Sequence, residues 1–266
     1  MLCEKPTAMD RHQAAEMRDA AARAGKVAGI NHEFRFLPAR AAAVQMVREG
    51  AIGRPRRGDI LGRYPMWARP ESRGMTWLSD AARGGGILGA LGSHHTDCLR
   101  TFFGEPRSVL ASVRVDQPRR GPVTPGGESG VATADDAFTL TYTFDGGATA
   151  GVDCSACVPY RWERFEVHGE DATLRWDDEG WTLWRIVNGR EPERVDIPER
   201  LKPARRNGEP ALVAPFRVMV ARLHAAITRG EALEPSFAVD AVAVQSALDA
   251  ARASSASGAR ASVERP

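Results

Sequence analysis

Lysine is scarce in this sequence of 266 residues, where Lys5, Lys26 and Lys202 stand among 36 basic side chains. The other basic residues are arginines, and they are interspersed with 34 acidic residues for a formal net charge of +2. No basic stretch with interleaved aromatic residues stands out, so a nucleic-acid-binding protein is not indicated. A lysine that falls within a motif is therefore a candidate functional residue.

Cysteines and apolar runs are also few. No apolar run approaches the ~18 residues of a membrane span, and the opening "MLCEKPTAMD" lacks the basic and apolar regions of a signal peptide. We therefore expect a soluble, cytoplasmic protein with reduced thiols. Cys154 and Cys157 have C-x-x-C spacing, but without a second ligand pair we interpret them as structural thiols. His32 and His168 lack paired ligand spacing, and we predict no metal site.

The first 31 residues are typical of a strand–helix–strand unit. "MLCEKP" reads as the end of a strand and its exit turn, and "KVAGIN" as a second short strand. Between them, Thr7 or Asp10 can cap a helix that Gly25 ends. The pattern predicts one βαβ unit, that is, part of an α/β domain.

The remaining residues predict an α+β domain with a mostly antiparallel open sheet. A helix over 38–49 is followed by short alternating strands, among which "DAFTLTYTF-DGG-ATAGVDCSA" is the clearest hairpin. A Pro/Gly-rich loop over 116–130 is expected to be exposed. Two helices close the chain. The Thr-rich face of "DAFTLTYTF" and an exposed strand edge favour a homodimer or larger assembly through the sheet.

The stretch "GGGILGALGSHHTDC" contains G-x-G-x-x-G at Gly84, Gly86 and Gly89. A dinucleotide-binding turn needs a strand before it and an acidic residue about 20 positions later. The preceding "TWLSDAARG" has no strand pattern, and Glu105 is poorly placed for the acidic role. We interpret these glycines as the close-packing entry to a helix over 90–103.

Three stretches in chain order together resemble the Gfo/Idh/MocA family of NAD(P)-dependent oxidoreductases. They are "CEKP" (Cys3–Pro6), "NHEFRFLPA" (Asn31–Ala39) and "GGGILGALGSHHTD" (Gly84–Asp97), the last similar to the family's glycine run before G-x-H-x-x-D. Smaller similarities, "VHGEDATL" and the closing helix, extend the resemblance over nearly the whole chain.

The resemblance implies a Rossmann domain followed by a substrate domain. This chain joins the pattern only at the last Rossmann strands, so we expect residues 1–36 to be the C-terminal remnant of that domain. Residues 37–266 would form the substrate and oligomerisation domain. The implied function is hydride transfer between NAD(P) and a sugar-like or cyclic alcohol or ketone, with NAD or NADP bound only if the nucleotide-binding half is supplied. The alternative is a cofactor-free ligand-binding or oligomerisation module.

The resemblance also implies site residues around "CEKP". Lys5 would be catalytic, because a lysine at the carboxyl end of a strand can hydrogen-bond a substrate oxygen. Glu4, Lys5, Pro6 and Asn31 would contact the cofactor. A solvated surface role for Lys5 and a turn-capping role for Asn31 are the alternatives.

His94 and Asp97 are the other candidate catalytic residues. Three positions apart, they share one helix face, so the carboxylate is expected to orient the imidazole for proton transfer. A packed histidine at the domain junction is the alternative. Related inositol dehydrogenases often carry Asp four residues before this His, where Ala90 stands here. That departure puts polyol dehydrogenase activity in doubt.

Arg35, Trp77 and His95 are the candidate substrate residues. Arg35 is expected either to bind an anionic group or to pair with Glu33 or another carboxylate. Trp77 is one of three tryptophans, with Trp67 and Trp162, that would line a sugar pocket or pack in the core. His95 diverges from His94 by about 100° on the helix.

Overall fold

The computed structural model describes residues 1–122, 129–177 and 180–266, so residues 123–128 of the expected Pro/Gly loop lie outside the described part. The helices are α1 (Arg11–Arg23), α2 (Pro38–Arg48), α3 (Ser93–Phe103), α4 (Val213–Arg229) and α5 (Val242–Ser257). The strands are β1 (Leu2–Cys3), β2 (Gly29–Ile30), β3 (Arg57–Arg63), β4 (Pro106–Arg114), β5 (Arg119–Arg120), β6 (Gly130–Val131), β7 (Ala137–Phe144), β8 (Thr149–Ser155), β9 (Trp162–His168), β10 (Thr173–Asp177), β11 (Thr182–Ile186), β12 (Glu193–Arg194) and β13 (Ala261–Ser262).

The N-terminal strand–helix–strand unit forms as predicted. β1 and β2 pair in parallel, with Leu2 opposite Gly29, and α1 connects them. The Asp10 side chain caps α1 by accepting a hydrogen bond from the Gln13 amide at 2.9 Å. The two parallel strands therefore end side by side, at the edge where α/β sheets place ligands.

A nine-stranded sheet forms the body of the molecule within the described residues, in the order β12-β11-β10-β9-β3-β8-β7-β4-β13. Neighbouring strands are antiparallel except β3 and β8, which confirms the expected mostly antiparallel sheet. The predicted hairpin is β7–β8, with Thr143 opposite Thr149.

The core lies between one face of this sheet and the helices. Phe138, Leu140, Tyr142 and Phe144 are buried at alternate positions of β7. The Tyr142 hydroxyl lies 3.0 Å from the Thr96 hydroxyl of α3. The apolar side of β7 thus faces the helix of His94, as its alternation predicts.

The glycine run leads into α3 through a π-helical turn, Leu88–Gly92, where a regular helix was expected. Two 3-10 turns, Trp77–Ser79 and Ala81–Arg83, precede the glycines, so this is not a nucleotide-binding strand–turn. A Cβ on Gly89 would lie 3.2 Å from Pro6 Cγ. The glycine therefore lets the start of α3 approach the end of β1 closely.

The βαβ unit packs on the C-terminal segment as well. The Phe237 amide donates to the Ala28 carbonyl at 3.0 Å, and Phe237 is buried against Ile30 and Ala241. None of the helices in the described ranges is long and apolar enough to cross a membrane.

Gly58 on β3 provides a test of sheet-on-helix packing. A Cβ there would lie 2.8 Å from Phe103 Cε2 and 2.9 Å from Leu99 Cδ2 of α3. We expect Gly58→Ala to lower the free energy of unfolding in urea by about 1–3 kcal/mol through overpacking. Gly146 in the β7–β8 turn has open space around it, and Gly146→Ala should change stability by less than about 0.5 kcal/mol. Equal effects would contradict this packing.

Candidate active site

Lys5 lies immediately after β1 and faces the π-helical turn. Its Nζ donates a hydrogen bond to the Ala90 carbonyl oxygen at 2.6 Å. A π turn displaces carbonyls from the regular helical ladder, and such turns are frequent at functional sites. Burial lowers the pKa of Lys5, and the carboxylates of Glu33 and Glu4 oppose that shift. Lys5 is thus a partly desolvated ammonium rather than a solvated surface lysine.

His94 lies in the first turn of α3 and is almost completely buried, at 1 % exposure. Its ring stacks on Phe34, with centroids 3.9 Å apart and planes 8° apart, and meets His32 edge-on at 5.4 Å. Burial, and secondarily the positive charge of Lys5, hold the pKa of His94 well below its usual range. The imidazole is therefore neutral at neutral pH.

Asp97 binds arginines and not His94, which corrects the expected pairing. Arg35 Nε donates to its Oδ2 at 3.0 Å, and Arg40 Nη2 donates to the same oxygen at 3.3 Å. Asp97 is fully buried, so its charge needs compensation that a neutral imidazole does not give. Burial would raise the pKa of Asp97, but the Arg35 guanidinium and the neighbouring charges lower it below its usual value.

Arg35 has a structural ion-pair role. Besides Asp97, its Nη2 contacts Asp240 Oδ1 at 2.6 Å, and Arg100 Nη1 approaches the same oxygen at 2.9 Å. Arg35 thus pairs with carboxylates, which is one of its two expected roles, and its contact with a substrate stays a prediction.

His95 faces the sheet from α3 and does not line the cleft. Its ring packs against Phe165 at 5.7 Å and Phe138 at 6.2 Å, at 1 % exposure. Burial lowers its pKa to about 3. A direct substrate contact is incompatible with this place in the sheet–helix core, so the expected role of His95 is corrected to packing.

Asn31 and Glu4 meet where β1 and β2 end. Asn31 Nδ2 donates to Glu4 Oε1 at 2.7 Å, whereas the buried Asn31 Oδ1 has no hydrogen-bond partner. An unsatisfied buried acceptor costs free energy unless another donor completes it. Asn31 therefore offers a hydrogen-bond acceptor to a ligand at the strand ends.

An open cleft of about 810 Å³ adjoins this cluster. Trp77 is 48 % exposed and lines the cleft together with Lys5. Trp67 instead is fully buried beneath the Arg120 guanidinium, 4.4 Å from its ring, and Trp162 lies under Arg164. Of the three tryptophans considered, Trp77 is the one that the cleft offers to a ligand. Other lining residues include Glu4, Pro6, Gly84, Gly85, Asp135 and Arg252.

No signal in the sequence pointed to Arg40, Arg100 and Asp240, and Glu33 was suggested only as a partner of Arg35, which pairs with Asp97 and Asp240 instead. Glu33 and Arg40 are buried, at 8 % and 2 % exposure. Glu33 and Arg40 lie within or next to the motif Asn31–Ala39, but the sequence does not show which charged side chains become buried when the chain folds. Asp240 is 205 positions from Arg35, a separation that no local pattern connects. In the described ranges, no group of three His, Cys, Asp or Glu side chains is placed to hold a metal ion.

The family model for the GFO/IDH/MocA C-terminal domain matches residues 41–175, half of the chain. The chain therefore belongs to the Gfo/Idh/MocA family of oxidoreductases. The match covers β3 to β10 and the helix of His94, which together carry the sheet and one wall of the site.

Curated relatives are sugar dehydrogenases and reductases. D-apiose dehydrogenase of Paraburkholderia graminis is 32% identical over 65% of this chain and 43% of its own length. Levoglucosan dehydrogenase of Pseudarthrobacter phenanthrenivorans is 28% identical over 65% of this chain and 48% of its own. The chain thus spans about half the length of the curated relatives it matches.

Solved structures share the fold over almost all of the chain. An oxidoreductase domain protein from Kribbella flavida superposes with a TM-score of 0.86 at 26% identity, over 99% of this chain and 74% of that one. Levoglucosan dehydrogenase in complex with NADH and L-sorbose gives a TM-score of 0.87 at 25% identity, over 100% and 73%.

The ion pairs of Asp97 give a stability prediction. Asp97→Asn would leave the Arg40 guanidinium buried beside a neutral amide and weaken the hold on Arg35. We expect a loss of about 3–5 kcal/mol in the free energy of unfolding. Asp19→Asn, which removes an exposed pair with Arg18, should cost no more than about 1 kcal/mol. Matching urea midpoints for the two variants would show that the buried network does not stabilise the fold.

Proposed function

We propose that this chain is part of an oxidoreductase that transfers a hydride between NAD(P) and a sugar-like alcohol or ketone. The observation that carries the proposal is the position of Lys5, a partly desolvated ammonium at the end of parallel strand β1 that lines the open cleft beside Trp77. The curated relatives act on D-apiose and levoglucosan by their names, which supports a sugar as the substrate class.

The residues present fit the nicotinamide end of the cofactor. At the ends of β1 and β2, the buried Asn31 Oδ1 has no hydrogen-bond donor. It is suited to accept a hydrogen bond from the carboxamide N–H of the nicotinamide. Glu4, Lys5 and Pro6 border the same edge. When bound, the cofactor supplies the hydride acceptor or donor. We assign no described residue to its phosphates, and we propose that residues 1–36 are the last part of a dinucleotide-binding domain, with residues 37–266 as the substrate domain.

We propose that Lys5 is the general base and acid that exchanges a proton with the substrate oxygen. In the direction of oxidation, the substrate hydroxyl gives its proton to the neutral Lys5 amine, and in the direction of reduction the Lys5 ammonium returns it. Burial lowers the pKa of Lys5 below its ordinary value, which reduces the cost of forming the neutral amine. His94 is neutral, so we propose that it orients the substrate by hydrogen bonding rather than by exchanging a full charge. The flat ring of Trp77 is suited to stack on a sugar face.

The function is tested on the chain supplied with a nucleotide-binding half at its N-terminus, mixed with NAD⁺ or NADP⁺ and a panel of aldoses and anhydrosugars, with reduced nicotinamide as the readout. We expect turnover that Lys5→Met lowers about 10²–10⁴-fold, the usual contribution of general acid–base catalysis. Lys26→Met, on a lysine outside the site, should leave kcat/KM unchanged.

A parallel titration of NADH separates this proposal from the alternative of a cofactor-free binding module. NADH binding without turnover would overturn the assigned substrate class. Failure of both NADH and NADPH to bind when the nucleotide-binding half is supplied would favour the module, which the absence of a phosphate-binding turn among the described residues makes the second candidate.

We also propose that the open face of the sheet mediates a homodimer. Thr139, Thr141 and Thr143 lie half-buried on the side of β7 away from α3. Charges of both signs flank them on the same face, including the pair Arg63–Asp153. Such a face is self-complementary and suits a two-fold contact between identical copies.

Light scattering over a tenfold dilution series checks the assembly. We expect the mass of a dimer or larger, and Thr141→Arg at the centre of the face should shift it to the monomer by placing two like charges across the axis. Ala22→Arg on the exposed side of α1 is the matched control. A monomeric mass for the unaltered chain at every concentration would refute the proposal.

A further inference from the structure

A second cavity, of about 460 Å³, lies between α2, α4 and the 3-10 turn Glu199–Leu201. None of the described residues that line it also lines the cleft of Lys5. Cavities of ~300–1,000 Å³ are typical of small-molecule sites in proteins. The hydride transfer proposed above gives this cavity no role.

Part of the cavity wall is apolar. Val44 of α2, Val218 of α4 and Leu201 of the 3-10 turn line it, and all three residues are half-buried. Phe36 lines it as well and is buried, at 9 % exposure. A ligand with an apolar body would remove this surface from water, which favours binding.

Arginines outnumber carboxylates in the lining of the cavity. The five arginines are Arg35, Arg40, Arg48, Arg200 and Arg222, and the two carboxylates are Glu49 and Glu234. Asp97 pairs with Arg35 and Arg40, and Asp240 also pairs with Arg35, so these two arginines are compensated. The other three arginines remain beside two glutamates, which leaves an excess of one positive charge.

Those three arginines form no ion pair with any residue in the described part of the chain. The Cζ of Arg222 lies 5.0 Å from the centre of the Phe36 ring, and Arg200 Nη2 donates to the neutral amide oxygen of Gln45 at 2.8 Å. Exposed arginines elsewhere, such as Arg57, pair with carboxylates. Guanidinium groups with unused N–H donors beside an apolar wall suit an anionic ligand.

Arg35 lines this second cavity and not the cleft of Lys5. Its bonds to Asp97 and Asp240 use Nε and Nη2, and Nη1 takes no part in them. An anionic group bound by Arg35, which is one of the two roles expected from the sequence, would therefore lie in the second cavity. It would belong to a ligand separate from the alcohol or ketone at Lys5.

We propose that the second cavity binds a small organic carboxylate with an apolar body. The carboxylate accepts hydrogen bonds from the three arginines without ion pairs, and the apolar body contacts Phe36 and Val218. The planar carboxylate matches the paired N–H donors of a guanidinium group. Its single negative charge balances the excess charge of the lining. This site does not rest on the proposed function.

The site is tested with 2-naphthoate and its neutral counterpart 2-naphthamide, which has nearly the same size and shape. Calorimetric titration of the purified chain should give a Kd of about 0.1–1 mM for 2-naphthoate, the range that ligands of this size reach. The amide should bind at least about tenfold more weakly. Arg222→Gln and Arg48→Gln should each weaken 2-naphthoate binding about 3- to 10-fold, because each removes a charge-assisted contact.

Arg190→Gln is the matched control, because Arg190 is an exposed arginine that lines neither cavity. It should leave 2-naphthoate binding unchanged, as should Lys5→Met in the other cleft. Circular dichroism checks that each variant folds, and Arg200→Gln replaces a variant that does not.

Three results would overturn the proposal. They are equal or undetectable binding of 2-naphthoate and 2-naphthamide, an affinity for 2-naphthoate that the arginine substitutions do not change, and loss of binding in Lys5→Met. The titration contains no nicotinamide or sugar, so its failure leaves hydride transfer standing, and absent turnover leaves the carboxylate site standing.

Discussion

The buried charge of Asp97 is the constraint on which the site depends. A carboxylate without solvent must be compensated, and Arg35 and Arg40 bring the turn 33–36 and α2 against α3 to do so. Arg35 also pairs with Asp240, and this ion pair holds the segment before α5 against the same junction. The adjacent segments 33–36 and α2 and the distant segment at Asp240 thereby converge on one helix. The network gives this junction a single geometry, in which Phe34 and Glu33 take fixed positions.

In that geometry His94 and Lys5 have different electrostatic environments. Phe34 stacks on the His94 ring and excludes water from it, so the imidazole stays neutral. Lys5 donates a hydrogen bond to the Ala90 carbonyl, and burial lowers its pKa. The family resemblance alone would assign proton transfer to a His–Asp pair. In this chain the Asp97 carboxylate pairs with arginines, and for that reason we propose Lys5 as the group that exchanges the proton.

Local patterns were sufficient for most of the fold. Capping by Asp10, the alternation of β7 and the hairpin turn predicted their elements because each depends on residues close in sequence. Lys5 was identified by its motif, and the structure places it on the cleft. The partners of Asp97 and Arg35 were not predictable, since i, i+3 spacing shows which residues share a face and not which one has a stronger distant partner. The burial of Glu33 and His95 likewise depends on packing between segments, which composition does not encode.

The central claim is that the buried imidazole of His94 is neutral at neutral pH and does not carry the positive charge of a protonated base. Nitrogen-15 NMR of the histidine rings across pH 5–8 tests it most directly, with the His94 signal assigned by its loss in His94→Gln. The account predicts that His94 stays neutral throughout this range, because burial and the Lys5 charge both disfavour its protonation. Protonation of His94 between pH 6 and 7 would contradict the account.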